Sequence, residues 1–143
     1  MFAYSTTQPI RYLVLAAMVL TLGGVCIAPL AFAGIALNTI NPLAIITDDG
    51  RHLIVTGPLA CTDSERAFLH VTVTQRATGA VAEGHTRLLC TGETQHWEVH
   101  AVIRGHATFQ EGPATAVAVG RTLLRGEATD AHQWLVDVTL VRE

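Results

Sequence analysis

Gln95-His-Trp-Glu-Val-His-Ala-Val-Ile-Arg104 alternates between two kinds of side chain. Trp97, Val99, Ala101 and Ile103 fall on one side, and His96, Glu98, His100 and Arg104 on the other. A period of two belongs to a β-strand with one covered face. The same rhythm recurs outward along the chain. Leu69, Val71 and Val73 oppose His70, Thr72 and Thr74 in 67–76; Trp134, Val136, Val138 and Leu140 oppose Asp137 and Thr139 in 132–142. Further Val-, Ile-, Leu- and Thr-rich runs cover 36–46, 52–61, 80–90 and 114–124. Turn signals separate them: Asp48-Asp49-Gly50-Arg51, Ala77-Thr78-Gly79, Thr91-Gly92-Glu93 and Gly126-Glu127-Ala128-Thr129-Asp130. The spacing predicts an all-β chain, an immunoglobulin-like β-sandwich of about seven antiparallel strands. A small closed barrel of seven or eight strands is the second architecture. Gly57-Pro58 predicts an edge or a bulge in 52–61, because proline cannot donate to a ladder.

The first 33 residues read differently. Arg11 is the only charged side chain before Asp48, and an apolar run from Tyr12 to Leu22 follows it. Gly23-Gly24, Pro29 and Ala31-Phe32-Ala33 come next. A positive flank, an apolar core, helix breakers and a small-x-small ending predict a signal peptide over 1–33, cut after Ala33. Residues 34–143 then form a single domain. Kept uncut, the uncharged run 12–33 would be a membrane anchor, although its two glycines and proline make a poor spanning helix. A lipid anchor at Cys26 fits poorly, since Gly23, Gly24 and Val25 precede it.

Composition narrows the function. Of 143 residues 50% are hydrophobic and 15% charged, which supports one packed domain and excludes a disordered acidic tail. The net charge of −3 lacks the basic footprint of a nucleic-acid binder. Past the leader only Cys61 and Cys90 remain, and an even pair in an exported chain predicts a disulfide.

Val71-Thr-Val-Thr-Gln-Arg76, Cys90-Thr-Gly92, Trp97-x-Val99 and Gly112-Pro113-Ala-Thr-Ala116 together give the chain a familiar pattern. Over residues 51–142 it resembles small secreted bacterial immunoglobulin-like β-sandwich domains of unknown function. The resemblance implies an exported, disulfide-linked module and no reaction. The chain departs from some members in lacking a further Cys pair on the later strands, which leaves its last hairpin without a covalent staple.

Catalytic sets are hard to find. Ser64, the one serine after the leader, lies in Thr62-Asp63-Ser64-Glu65 without a Gly-x-Ser-x-Gly elbow. That reads as a solvated turn whose neighbouring carboxylates point apart. Carboxylates are scattered singly, and glycine-rich phosphate loops are absent. No catalytic residue is expected. Histidine is the unusual feature, with seven in the chain. His96, Glu98 and His100 share one strand face, about 6–7 Å apart at alternate positions. Two of them can share a zinc or copper ion, and a third donor would have to come from another strand, such as His70 or His85. Otherwise they form a solvated polar face. Both Trp fall on inward faces, so an aromatic platform for sugars could come only from Phe68 or Phe109.

These readings give an exported, non-catalytic β-sandwich with a structural or protein-interaction role outside the cytoplasm. Its expected partner is a protein or another cell-envelope component, with a membrane included only if the leader is uncut. The alternative is an extracytoplasmic metal-binding protein using His96, Glu98 and His100.

Overall fold

The computed structural model describes residues 34–47 and 49–143. The expected leader over 1–33, with its cut after Ala33, lies outside the described residues. Eight strands follow one another: β1 Ile35–Asn38, β2 Leu43–Ile46, β3 His52–Cys61, β4 Arg66–Gln75, β5 Ala80–Leu89, β6 Thr94–Arg104, β7 Gly112–Leu124 and β8 Glu127–Arg142. The expected all-β class holds. The expected pair of separate sheets does not: seven strands run β3-β2-β8-β7-β4-β5-β6, and β6 pairs back onto β3, closing the sheet on itself. β1 lies alongside β3 as an eighth strand.

Two corners close the ring. At one, β2 pairs antiparallel with β3 (Ile46 opposite Leu53) and parallel with β8 (Leu43 opposite Thr139). At the other, β5 pairs with β4 over its whole length and with β6 only at Val81, Ala82 and Glu83. Gly84 marks where β5 then leaves β6. A Cβ there would lie 2.5 Å from Val99 Cγ1 and 2.6 Å from the His100 carbonyl oxygen. The missing side chain lets the two backbones cross closely before they part.

The strand expected over 36–46 is broken into β1 and β2 by Asn41-Pro42. Proline has a fixed φ and offers no N–H to a ladder, so the pairing is interrupted at Pro42. The crossing chain stays tied down, because Asn41 N donates to the Thr56 carbonyl at 2.8 Å and its Nδ2 to Thr56 Oγ1 at 2.7 Å. The same break accommodates Gly57-Pro58. β3 is flanked on both sides and keeps a continuous register with β6, so neither the expected edge nor a bulge in that pairing appears. Pro58 instead turns its carbonyl toward the gap between β1 and β2, where Thr39 N reaches it at 3.4 Å. The absent N–H therefore costs no ladder bond.

Inward side chains fill the ring. Leu53, Val55 and Leu59 come from β3, Leu69, Val71 and Val73 from β4, and Val99 and Leu140 from β6 and β8. Trp97 is buried, and Trp134 packs half-buried against the same core. Gly120 makes room for it, since a Cβ there would stand 2.9 Å from the Trp134 ring. Phe109, only 1% exposed, enters from the β6–β7 loop at the end opposite Gly34.

Buried Gln75 holds that loop in place. Its Nε2 donates to the Gln110 carbonyl at 2.7 Å, and its Oε1 accepts from Gln110 N at 2.9 Å and Thr78 Oγ1 at 3.1 Å. Gln75→Leu keeps the volume but removes three bonds and leaves Gln110 main-chain groups unpaired. A loss of about 1–3 kcal/mol is expected in urea unfolding. An unchanged midpoint would show that water replaces the amide at no cost.

Candidate functional site

The Cys61–Cys90 disulfide is present, with its Cα atoms 5.4 Å apart. It joins the end of β3 to the β5–β6 turn, and both cysteines are buried. Beside it the Glu65 main chain bonds to Thr62 and Cys90, while the Glu65 side chain is fully buried. Its carboxylate oxygens have no hydrogen-bond partner among the described residues.

His96, Glu98 and His100 do share the outer face of β6. His100 Nε2 and Glu98 Oε1 lie 2.7 Å apart, and both groups are well exposed. Across the ladder these residues face Pro58, Thr56 and Ile54 of β3. None of these three offers nitrogen or carboxylate to a metal. The other suggested donors, His70 and His85, pair with each other on β4 and β5. Among the described residues no three His, Cys, Asp or Glu side chains are grouped closely enough to hold a metal ion.

Ser64 sits in the tight turn after β3 with φ of 68°. The expected divergence from Asp63 is not what the turn produces, because its left-handed backbone brings Ser64 Oγ to 3.3 Å from Asp63 Oδ2. No histidine is hydrogen-bonded to Ser64 among the described residues, so this pair lacks a base that could take the serine proton.

The ring brings other residues together. On β4, Arg66, Phe68 and His70 point outward in succession. Phe68 stands opposite Arg87 of β5 and Arg121 of β7, so an arginine flanks the ring on either side. Arg121 leans inward, its guanidinium carbon 5.5 Å from the Phe68 centroid, which is cation–π range. One step along, His70 faces His85 and Val119. Phe68, His70, His85, Arg87, Val119 and Arg121 line an open concavity of about 770 Å³. Of the two aromatics left open as platforms, Phe109 is buried and Phe68 lies on this face.

Charge makes the face distinct on an acidic chain. Arg66, Arg87, Arg121 and Arg125 are exposed, and none forms an ion pair among the described residues. The carboxylate in the adjoining row, Glu83, is already bonded to Arg104 at 3.0 Å. The sequence marks Phe68 as a candidate platform but not its arginine partners. Alternation marks Arg66 and Phe68 as outward, but only the register of three strands reveals the row.

Asp130 links this end of the barrel to the start of the described chain. Its Oδ2 accepts from Ile35 N at 3.0 Å and lies 2.9 Å from His132 Nε2. The Ile35 N–H bond, aided by a bond from Ala131 N–H and by His132, holds the Asp130 carboxyl below its usual range. A depressed carboxylate contributes stability above the unfolded-state value of 3.8 and loses it as pH falls through the folded value. Exchange of the Ile35 amide should therefore accelerate as pH drops below about 4, relative to the intrinsic rate. In Asp130→Ala it should already be fast at neutral pH. Equal protection of Ile35 in both proteins would sever this link.

No protein-family model and no curated protein matches the chain.

Proposed function

We propose that this protein is a non-catalytic binding module working outside the cytoplasm, and that its contact surface is the outer face of β4, β5 and β7. The observation that carries the reading is the row Arg87–Phe68–Arg121, whose guanidinium groups lack carboxylate partners among the described residues. Arginines without carboxylate partners beside a half-buried aromatic ring are residue types that interfaces favour. The Cys61–Cys90 bond is compatible with an oxidising compartment. The strand neighbours also support an immunoglobulin-like origin for the barrel. β1-β3-β6 and β4-β7-β8 keep the adjacencies of the two sheets of such a sandwich, and β2 and β5 join them at the corners.

Native mass spectrometry on the protein exported with its own leader, before and after reduction, tests this reading. A chain beginning at Gly34, lighter by two hydrogens until reduced and free of metal, is the expected result. A stoichiometric zinc or copper adduct lost in a His96→Ala/His100→Ala double variant would replace it with the metal-binding alternative. A hydrolase activity abolished by Ser64→Ala would overturn it from another direction.

A further inference from the structure

We propose that the open edge of β8 pairs with the same edge of a second copy of this chain, antiparallel about a two-fold axis at Leu135. This pairing does not use the arginine row, so it goes beyond the reading above and can fail while that reading stands. Thr139 N donates to the Pro42 carbonyl at 2.8 Å, on the side of β8 away from β7. Main-chain groups point alternately to the two edges of a strand, so Ala131, Gln133, Leu135 and Asp137 present theirs on that same side. Both ends of this edge are taken. β2 occupies it from Thr139 onward, and Ala131 N is capped by Asp130 Oδ1 at 2.8 Å. Between them, Gln133, Leu135 and Asp137 have no strand beside them among the described residues.

Burial follows the same boundary. Val138 and Leu140, inward beside β2, are 3% and 0% exposed. Trp134 and Val136 also point inward, but with no neighbour on that side they are only half-buried. On the outer face Leu135 is 63% exposed. Natural sheets blunt such an edge with lysine, proline or a bulge. Residues 133–137 contain neither lysine nor proline, and the break in the β7–β8 register falls outside them, at Thr122/Leu123.

Symmetry selects a second copy as the occupant. The open main-chain groups centre on Leu135, and so does the chemistry around them. Gln133-Trp134-Leu135-Val136-Asp137 reads polar, apolar, apolar, apolar, polar in either direction. A two-fold interface needs such a self-complementary patch. Antiparallel pairing about Leu135 sets it against Leu135 of the second copy, Trp134 against Val136, and Gln133 against Asp137. Each N–H at 133, 135 and 137 then meets a carbonyl, and no like charges stand opposite one another. Aromatic against β-branched is a favoured cross-strand pair, and the Gln133 amide can donate to the Asp137 carboxylate. A strand of unrelated sequence would satisfy the main chain but make no use of this symmetry.

Sedimentation equilibrium on the protein exported with its own leader tests the pairing, and amide exchange reports its place. A monomer–dimer equilibrium is expected. Exchange at Gln133, Leu135 and Asp137 should slow as concentration rises, while Trp134 and Val136, whose main chain already faces β7, stay unchanged. Leu135→Lys sets two lysines face to face on the axis. It should leave a monomer where the parent is dimeric, with an unchanged urea midpoint in dilute solution. Val102→Lys, at an exposed site on the outer face of β6, should leave the dimer intact. Gln133→Glu meets Asp137 twice and should weaken the dimer about 2- to 30-fold, whereas Gln133→Lys should tighten it by a similar factor. A chain still monomeric at about 1 mM overturns the proposal. So does a dimer that survives Leu135→Lys or is lost in Val102→Lys. A monomer whose Leu135 amide slows only with a synthetic peptide of alternating threonine and valine overturns it too, giving the edge to another protein's strand.

Discussion

Replacing Cys61 and Cys90 together by alanine should lower the free energy of unfolding by about 3–4 kcal/mol. The bond closes a loop with a sequence separation of 29, and cutting it returns that loop's freedom to the unfolded chain. Both cysteines are buried, so alanine also removes sulfur from the core without introducing a polar group. A native stability of about 5–15 kcal/mol makes this a large fraction. The place of the loop matters as much as its length. It holds the β5–β6 turn against the end of β3, at the end of β5 remote from the three ladder pairs that β5 shares with β6 at Val81, Ala82 and Glu83. Equilibrium unfolding in urea, oxidised against double variant, measures the difference. A loss below about 1 kcal/mol would show that this end of the barrel is held by packing alone.

Gly57→Val should cost as much or more, for a steric reason. A Cβ at Gly57 would collide with the Thr39 carbonyl and lie 2.6 Å from Trp97 Cζ2. The first contact is main chain crossing from β1 to β2, and the second belongs to a large buried ring. Neither can swing aside as the tip of an exposed side chain can. Overfilling a tight core typically costs 1–3 kcal/mol, and a backbone obstacle places this variant at about 3 kcal/mol or beyond. Gly79→Val makes the useful contrast. Its backbone has φ of 72°, but nothing lies within 4 Å of its Cβ position. Only conformational strain of about 1–2 kcal/mol is then expected. Equal losses in the two variants would mean that the β1–β2 crossing yields easily.

Local chemistry was legible where a short stretch carried it. Gly79 turns β4 into β5 where Ala77-Thr78-Gly79 predicted a hairpin, and the alternation of 95–104 places Trp97, Val99, Ala101 and Ile103 inward. The β7–β8 turn was misplaced. Of the expected loop over 126–130, residues 127–130 belong to β8, and the reversal is made by Arg125 and Gly126, with φ of 52° and 92°. Two successive left-handed residues suit a two-residue hairpin, but arginine is an uncommon choice for the first, so the sequence signal was weak. Ring closure left no local trace. It depends on pairing β3 with β6 and β2 with β8, partners separated by about a quarter to two-thirds of the chain. The arginine face is hidden for the same reason, because Arg66, Arg87 and Arg121 become neighbours only through strand register.

The parallel pairing of β2 with β8 also sets an order of events. Leu43–Ile46 are made before the strands that follow them and wait for Thr139–Arg142, the far end of β8. Until then β3 has β6 as a neighbour, yet the ring stays open at the β2–β8 seam. A barrel whose second strand needs its eighth stays open until β8 has been made. Its contacts are dominated by distant partners, which slows the final step and prolongs exposure of unpaired edges. A segment that must be threaded before the barrel forms would find the chain still open.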